Sequence, residues 1–435
     1  MRRLILLSQS KPNLRLPELA SLNNNIRQGS LDKRSPEKSV IIQKLNSTEV
    51  TFLSNRAISI QKIYNLHAEA ENYDDLFKKL SKVDLSRYYE ESMRLETVRV
   101  NKKSKPSSKV NFEKLFNNHP KLFDKINLNT PENKFAFVEE YCKNSKNLSS
   151  VYFAEEISKG IRSKLLKKYS LSKRRYLENT TLDPETAFYL SNLARIKPGD
   201  VVYDPFMGSG STLISAAEFG ALVIGSDISY RVVNGIGKCV TGERSGRNDE
   251  NSKNNLESQM AQYGLSNNFL GTMTMDMRTS CFAREEFLDA VITDPPFGLS
   301  QKPLTIGKRK EKPFVIEKRN YSKWLRDLPD DEIKSMQKKY PETVEYQLDE
   351  LFTDLLIFCS RALKVGGRLC FEMPYDKHKI KGEDLLVGVN NSEICNLELV
   401  YNFDTEKVRD SMVRRLFIFE KVCGSSDVSN KYDKT

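Results

Sequence analysis

Apolar runs in the second half of the chain repeatedly end on an aspartate. Val201-Val202-Tyr203 stops at Asp204, Ala221-Leu222-Val223-Ile224-Gly225-Ser226 at Asp227, Asn268 to Met275 at Asp276, and Leu288-Asp289-Ala290-Val291-Ile292-Thr293 at Asp294. Short apolar runs of this kind predict strands. After the first of them a turn carrying Gly208 and Gly210 leads into a helix, Leu213 to Glu218. Further on, Leu348, Leu351, Leu355, Leu356, Cys359 and Leu363 share one helical face, which Gly366-Gly367 should end before a strand from Arg368 to Met373. Alternating elements predict an α/β fold with a doubly wound, Rossmann-like sheet, whose strand carboxyl ends converge on one crevice.

The first half reads differently. Residues 1 to 150 mix short strands, such as Val40-Ile41-Ile42 and the alternating Arg94 to Val100, with amphipathic helices, one of them opening at Asn46 with Glu49 completing its cap. This α+β region carries no catalytic constellation, so its expected task is binding. Ile161, Leu165 and Tyr169 then recur every four residues, which predicts a helix with one buried stripe and lysines outward. The expected divisions are 1–157 for the α+β region, 158–182 for a basic linker, 183–423 for the Rossmann-like domain and 424–435 for a polar tail.

Charge adds a partner. Lys and Arg number 69 against 58 acids, and the resulting pI near 9.1 suits a polyanion. Lys164, Lys167, Lys168, Lys173, Arg174 and Arg175 lie in a stretch without one acid from 159 to 175, compatible with a solvated linker helix or with phosphate contact. Its place between a binding region and a catalytic domain favours RNA. Lys308, Arg309 and Lys310 belong to an insertion, Gln301 to Glu345, that also carries Trp324 and suits either gripping a strand or disorder. A second insertion, Gly242 to Lys253, reads as a surface loop. The scattered cysteines read as reduced thiols, and with only His67, His119 and His378 no metal site is expected. No run reaches membrane-span length, and Leu4-Ile5-Leu6-Leu7 is too short for a signal-peptide core, so a cytoplasmic protein is expected.

Candidate chemistry sits where the strands end. In Asp294-Pro295-Pro296-Phe297 the carboxylate and the Pro295 carbonyl can both accept from one exocyclic NH2, while the aromatic ring stacks on its base. The prolines stiffen the turn. A methyl donor fits the upstream loop. Gly208-Ser209-Gly210-Ser211-Thr212 lacks the third spaced glycine of a dinucleotide site, and Asp204 suits the cationic methionine end of S-adenosylmethionine. Asp227 stands where an acid binds ribose hydroxyls, and Asp276-Met277 where adenine would be read. Which amine is methylated stays open at this point, adenine N6 and a glutamine amide among them, and RNA binding without catalysis is a further alternative.

Asp204-Pro205-Phe206-Met207-Gly208-Ser209-Gly210 with Asp294-Pro295-Pro296-Phe297-Gly298 resembles the amino-methyltransferases, most of all the catalytic subunits of eukaryotic tRNA (guanine-10-N2)-methyltransferases. Tyr176 through Thr180-Thr181 to Glu185, Val223 to Ile228, Thr274-Met275-Asp276, Gly366-Gly367-Arg368-Leu369 and Arg414-Arg415-Leu416 follow that family's order. Ile126 to Pro131 and Phe135-Ala136-Phe137-Val138 resemble the core of a THUMP RNA-binding domain. Phe297 replaces the family's usual Tyr, Arg175 its Pro, and Ala154-Glu155-Glu156 a Gly-Arg-containing stretch. The resemblance implies S-adenosylmethionine held by Thr181, Asp204, Phe206, Gly208, Gly210, Asp227, Ile228, Asp276 and Met277, tRNA as substrate, and a small zinc-binding activator subunit.

Overall fold

The computed structural model describes residues 1–23, 26, 39–102, 115, 117–142, 147–178, 180–235, 255–296, 302–307, 342–378, 394, 396–407 and 411–424. The chain divides into two units, Met1–Leu165 and Leu166–Thr435. In the first, β1 (Arg2–Leu7), β2 (Val40–Lys44), β3 (Ile60–Ala70), β4 (Met93–Val100), β5 (Asn133–Tyr141) and β6 (Leu148–Lys159) form one sheet in the order β2-β1-β3-β6-β5-β4. Its pairs are antiparallel except β4 beside β5. Side chains alternate across it: Phe135, Phe137 and Phe153 enter one core with Leu76 and Leu80, while Ala136, Val138 and Ala154 enter another with Leu4 and Tyr64.

Local rules operate as expected here. The helix Ser47–Ser54 starts at a complete capping box, with Glu49 N donating to Asn46 Oδ1 at 2.9 Å and Asn46 N to Glu49 Oε2 at 2.8 Å. The segment Ile126 to Pro131 is a loop organised by Asn127, whose Oδ1 accepts from Asn129 N and Thr130 N and whose own N–H reaches the Met93 carbonyl. It leaves Ile126 and Leu128 exposed.

In the second unit β7 (Val201–Asp204), β8 (Leu222–Asp227), β9 (Phe269–Thr274), β10 (Leu288–Thr293), β13 (Leu363–Asp376), β14 (Leu397–Lys407) and β15 (Met412–Lys421) make the sheet β14-β15-β13-β10-β7-β8-β9. The strands β11 (Leu304–Ile306) and β12 (Thr343–Glu345) pair with each other as a separate ribbon. From β13 to β9 all neighbours are parallel, and β15 is antiparallel to both of its own. β8 flanks β7 on one side and β10 on the other, so the strand order reverses at β7. Ligands of open α/β sheets bind at such a switch point, beyond the strand carboxyl ends.

The helix Leu348–Ala362 supports this arrangement from behind. Leu351, Leu355, Leu356 and Cys359 are buried along it, and Leu355, Leu356 and Cys359 join Tyr203, Val291, Leu369 and Phe371 in one core. One expectation is corrected: Gly366-Gly367 lie inside β13, which starts directly at Leu363. Gly366 adopts φ +82 and the register with β10 shifts between Leu288 and Ala290, so the pair bends a strand rather than ending a helix.

The expected linker is corrected as well. Tyr169 packs on Phe188 and Tyr263 with ring centroids 5.4 and 4.6 Å apart, and its hydroxyl donates to Glu218, so the chain from Leu166 onward is built into the second unit. Leu355→Ala should lower the urea midpoint by the equivalent of about 2–5 kcal/mol, since the emptied site lies in a core that relaxes only partly. An unchanged midpoint would show that this core does not govern stability.

Candidate active site

Asp204, Asp227 and Asp294 stand at the carboxyl ends of three adjacent parallel strands, and Asp276 follows the fourth. Asp204 is the most enclosed, at 1% exposed. Its Oδ1 accepts from Phe206 N at 2.9 Å and from Thr293 Oγ1 at 2.5 Å, and its Oδ2 from Thr212 Oγ1. The loop after β7, the helix Ser211–Glu218 and the last residue of β10 are therefore tied to one carboxylate. Burial pushes it up to about 6, those three donors pulling the other way. The sequence suggested that Asp204 suits a cationic ligand; its oxygens are engaged by its own loop, by the helix that follows and by β10.

That loop is shaped by glycine. Gly208 has φ +50 and Gly210 φ +79, in the left-handed region. A Cβ at Gly210 would lie 2.4 Å from Leu256 Cδ1, whereas one at Gly208 would find only the Phe206 carbonyl, 4.0 Å away. Gly208 thus borders open space in which a ligand can approach the backbone. Its N–H donates to Asp227 Oδ2 at 3.2 Å, and Ser229 N to Asp227 Oδ1 at 2.9 Å. Burial raises the Asp227 carboxyl, yet each oxygen keeps a further lone pair for a ribose hydroxyl. Ile228 is half-buried beside it, and Phe206 packs against the main core. Thr181 joins the loop through a 2.9 Å hydroxyl pair with Ser209, while Gln259 Nε2 donates to the Ser209 carbonyl at 3.2 Å.

Asp276 is occupied in a way the sequence did not suggest. Its Oδ1 caps the turn Met277–Thr279 through Arg278 N at 3.0 Å. Its Oδ2 accepts from Thr305 Oγ1 and Ile306 N, both at 2.7 Å, and so anchors the β11–β12 ribbon. Met277 is buried next to it.

Asp294 leads from β10 into Pro295, which is buried, and Pro296, which is half-buried. Its side chain is 17% exposed, and its Oδ1 accepts from Arg414 Nη1 at 3.1 Å. Burial pushes this carboxyl up to about 7; Arg414 pulls it down, and Glu372 and Asp204 push it further up. Arg414 and Glu372 were absent from the sequence reading as site residues. A signal existed: Glu372 is an acid inside the apolar run Leu369 to Met373, and an acid is almost never fully buried unless paired.

The basic candidates separate. Lys164, Lys167, Lys173 and Arg175 are exposed, and Lys168 is paired with Glu218 at 2.8 Å. Arg174 is corrected: at 1% exposed it faces inward, donating to Ser211 Oγ at 2.7 Å, so it braces the glycine loop's helix instead of meeting phosphate. Phe297, Lys308, Arg309, Lys310, Trp324 and the insertion Gly242 to Lys253 lie outside the described residues. Among the described residues no cluster of His, Cys, Asp and Glu could hold a metal ion, and no helix is long and apolar enough to cross a membrane.

Family models agree with this architecture. Residues 1–162 match the family model described as Tmrp11 THUMP N-terminal domain, and residues 172–305 that described as RMKL-like, methyltransferase domain. Over 97% of its length the chain is 29% identical to the human tRNA (guanine(10)-N(2))-methyltransferase TRMT11, covering 88% of that protein. It is 29% identical to the tRNA (guanine(10)-N(2))-methyltransferase of Saccharomyces cerevisiae, over 96% of this chain and 92% of that one. Among solved structures, TrmN from Thermus thermophilus is 16% identical with a TM-score of 0.44, covering 97% of this chain and 100% of that one. The chain is thus a THUMP-type α+β region followed by a Rossmann-like class I methyltransferase domain.

The raised Asp294 carboxyl has a stability consequence. Its folded value near 7 exceeds the unfolded value of about 3.9, so ionising it costs the folded state stability as pH rises through that window. Asp294→Asn cannot ionise. Its stability relative to the wild type, from urea unfolding, should increase between about pH 4 and about pH 8; a constant or shrinking difference would contradict the burial of this group.

Proposed function

We propose that this chain, which resembles the catalytic subunits of eukaryotic tRNA (guanine-10-N2)-methyltransferases, transfers a methyl group from S-adenosylmethionine to the exocyclic N2 amine of guanosine 10 in tRNA. One observation carries the reading: adjacent parallel strands place the glycine loop, Asp227 and Asp294-Pro295-Pro296 at one end of the sheet, on either side of its switch point. The names and full-length similarity of the curated relatives support the choice of tRNA and of guanine N2. S-adenosylmethionine, when bound, supplies the electrophilic methyl group.

The residues then divide the work. Gly208 lets the backbone approach the donor and Gly210 turns the loop into its helix, with Thr181, Phe206 and Ile228 nearby. Asp227 takes the ribose hydroxyls, and Met277 and the backbone at Asp276 meet the adenine. Asp204 acts through the loop it holds. Asp294 and the Pro295 carbonyl accept both N–H groups of the target amine, which turns its lone pair away from the ring and toward the donor. Phe297 stacks on the base. After attack Asp294 takes the proton. The first unit grips tRNA, helped by Lys164, Lys167, Lys173 and Arg175 and by Lys308, Arg309 and Lys310. A small zinc-binding activator completes a cytoplasmic heterodimer, without which the chain is poorly soluble and inactive.

Asp294→Ala should abolish methyl incorporation into tRNA while leaving S-adenosylmethionine affinity, measured by calorimetry, within a few-fold. Asp227→Ala should weaken that affinity about 10- to 100-fold, the worth of a hydrogen bond to a charged group. The reading itself is tested by incubating the chain and candidate activator with S-adenosylmethionine and unmodified tRNA, then identifying the nucleoside by mass spectrometry. N2-methylguanosine at position 10 supports it; N6-methyladenosine, or no methylated nucleoside, overturns it.

A further inference from the structure

Two charged side chains outside the roles just given stand nearest to Asp294. Thr293 of β10 lies opposite Phe371 of β13, so Asp294 comes beside Glu372. On the other side of β13, Leu416 of β15 is opposite Glu372 and Arg414 opposite Pro374. Arg414 Nη1 lies 3.1 Å from Asp294 Oδ1 and 3.3 Å from Glu372 Oε2, with the Glu372 side chain only 3% exposed. Among the described residues, Asp204 at the end of β7 and Glu406 on β14 also act on this trio. The neighbouring Arg415 serves a different cluster, with Asp404, Asn402 and, through Asp404, Lys377 and Tyr375.

Stability does not explain the trio. Two carboxylates around one guanidinium leave an excess negative charge in a largely dry site, where apolar residues usually stabilise a fold as well or better. A methyl transfer from a sulfonium to a neutral amine, by contrast, delivers positive charge to the nitrogen at this place.

We propose that Arg414 and Glu372 are positioning residues for amine methylation, Arg414 aiming the Asp294 carboxylate at the amine and Glu372 holding Arg414 while keeping the site net negative. The proposal rests on the methyltransferase reading. In the step concerned the nitrogen lone pair forms the N–CH3 bond, the C–S pair leaves with sulfur, and the nitrogen becomes positive. One N–H proton then passes to Asp294 and on to solvent. Asp294 must begin ionised and still be basic enough to take that proton. Arg414 alone would leave it a weak base, and two carboxylates alone would keep it protonated.

The test follows the rate of tRNA methylation against pH at saturating substrates, using the full chain with its activator subunit, alongside S-adenosylmethionine binding by calorimetry. The wild-type rate should rise with pH through a limb near 7, where Asp294 ionises. Arg414→Gln should move that limb to higher pH by about one unit or more, Glu372→Gln should move it to lower pH, and Arg414→Lys should return it most of the way, all with cofactor affinity unchanged. Limbs that coincide with the wild type overturn the proposal, even where the plateau rate falls. The isosteric Glu372→Gln keeps the test decisive should Arg414→Gln fail to fold. Absence of transfer by the wild-type chain would instead overturn the methyltransferase reading beneath it.

Discussion

The carboxylate of Asp204 is the joint on which the second unit turns. Its donors come from the glycine loop, from the first turn of the helix that follows, and from the residue directly before Asp294. A buried carboxylate is costly to leave unpaired, so all three segments are held to it strongly. The part of the chain that would hold a methyl donor is thereby fixed relative to the part that would hold an acceptor. Without that joint the two half-sites would belong to separate loops, free to drift by more than a transfer reaction tolerates.

A second constraint is electrostatic. Asp204, Asp227 and Asp294 are all raised by burial, and Arg414 is the one cation identified close to Asp294 among the described residues. Folding alone does not favour such a concentration of acids. It is the kind of conflict between stability and function that marks a reactive centre.

Much of this was legible in the residue pattern. The strands ending at Asp204, Asp227 and Asp294 could be read because fully buried parallel strands are short continuous apolar runs with sharp ends, and the cap at Asn46 because capping is local. What stayed hidden depends on pairing across the sheet. Thr293 meets Asp204, and Arg414 meets Asp294, only because β10 adjoins β7 and β15 adjoins β13, and no local rule states that order. Arg174 misled for a related reason: a basic run advertises charge, but not which of its members turns inward to Ser211. Gly366-Gly367 looked like a terminator, whereas tertiary pairing with β10 carried the strand through them.

The contact between Gly210 and Leu256 seats the glycine loop on the start of the helix Leu256–Tyr263. The leucine methyl occupies the volume that any side chain at 210 would claim, so crowding and a left-handed backbone both hold glycine there. Trimming Leu256 would not by itself open position 210 to a larger residue, because the backbone there stays left-handed.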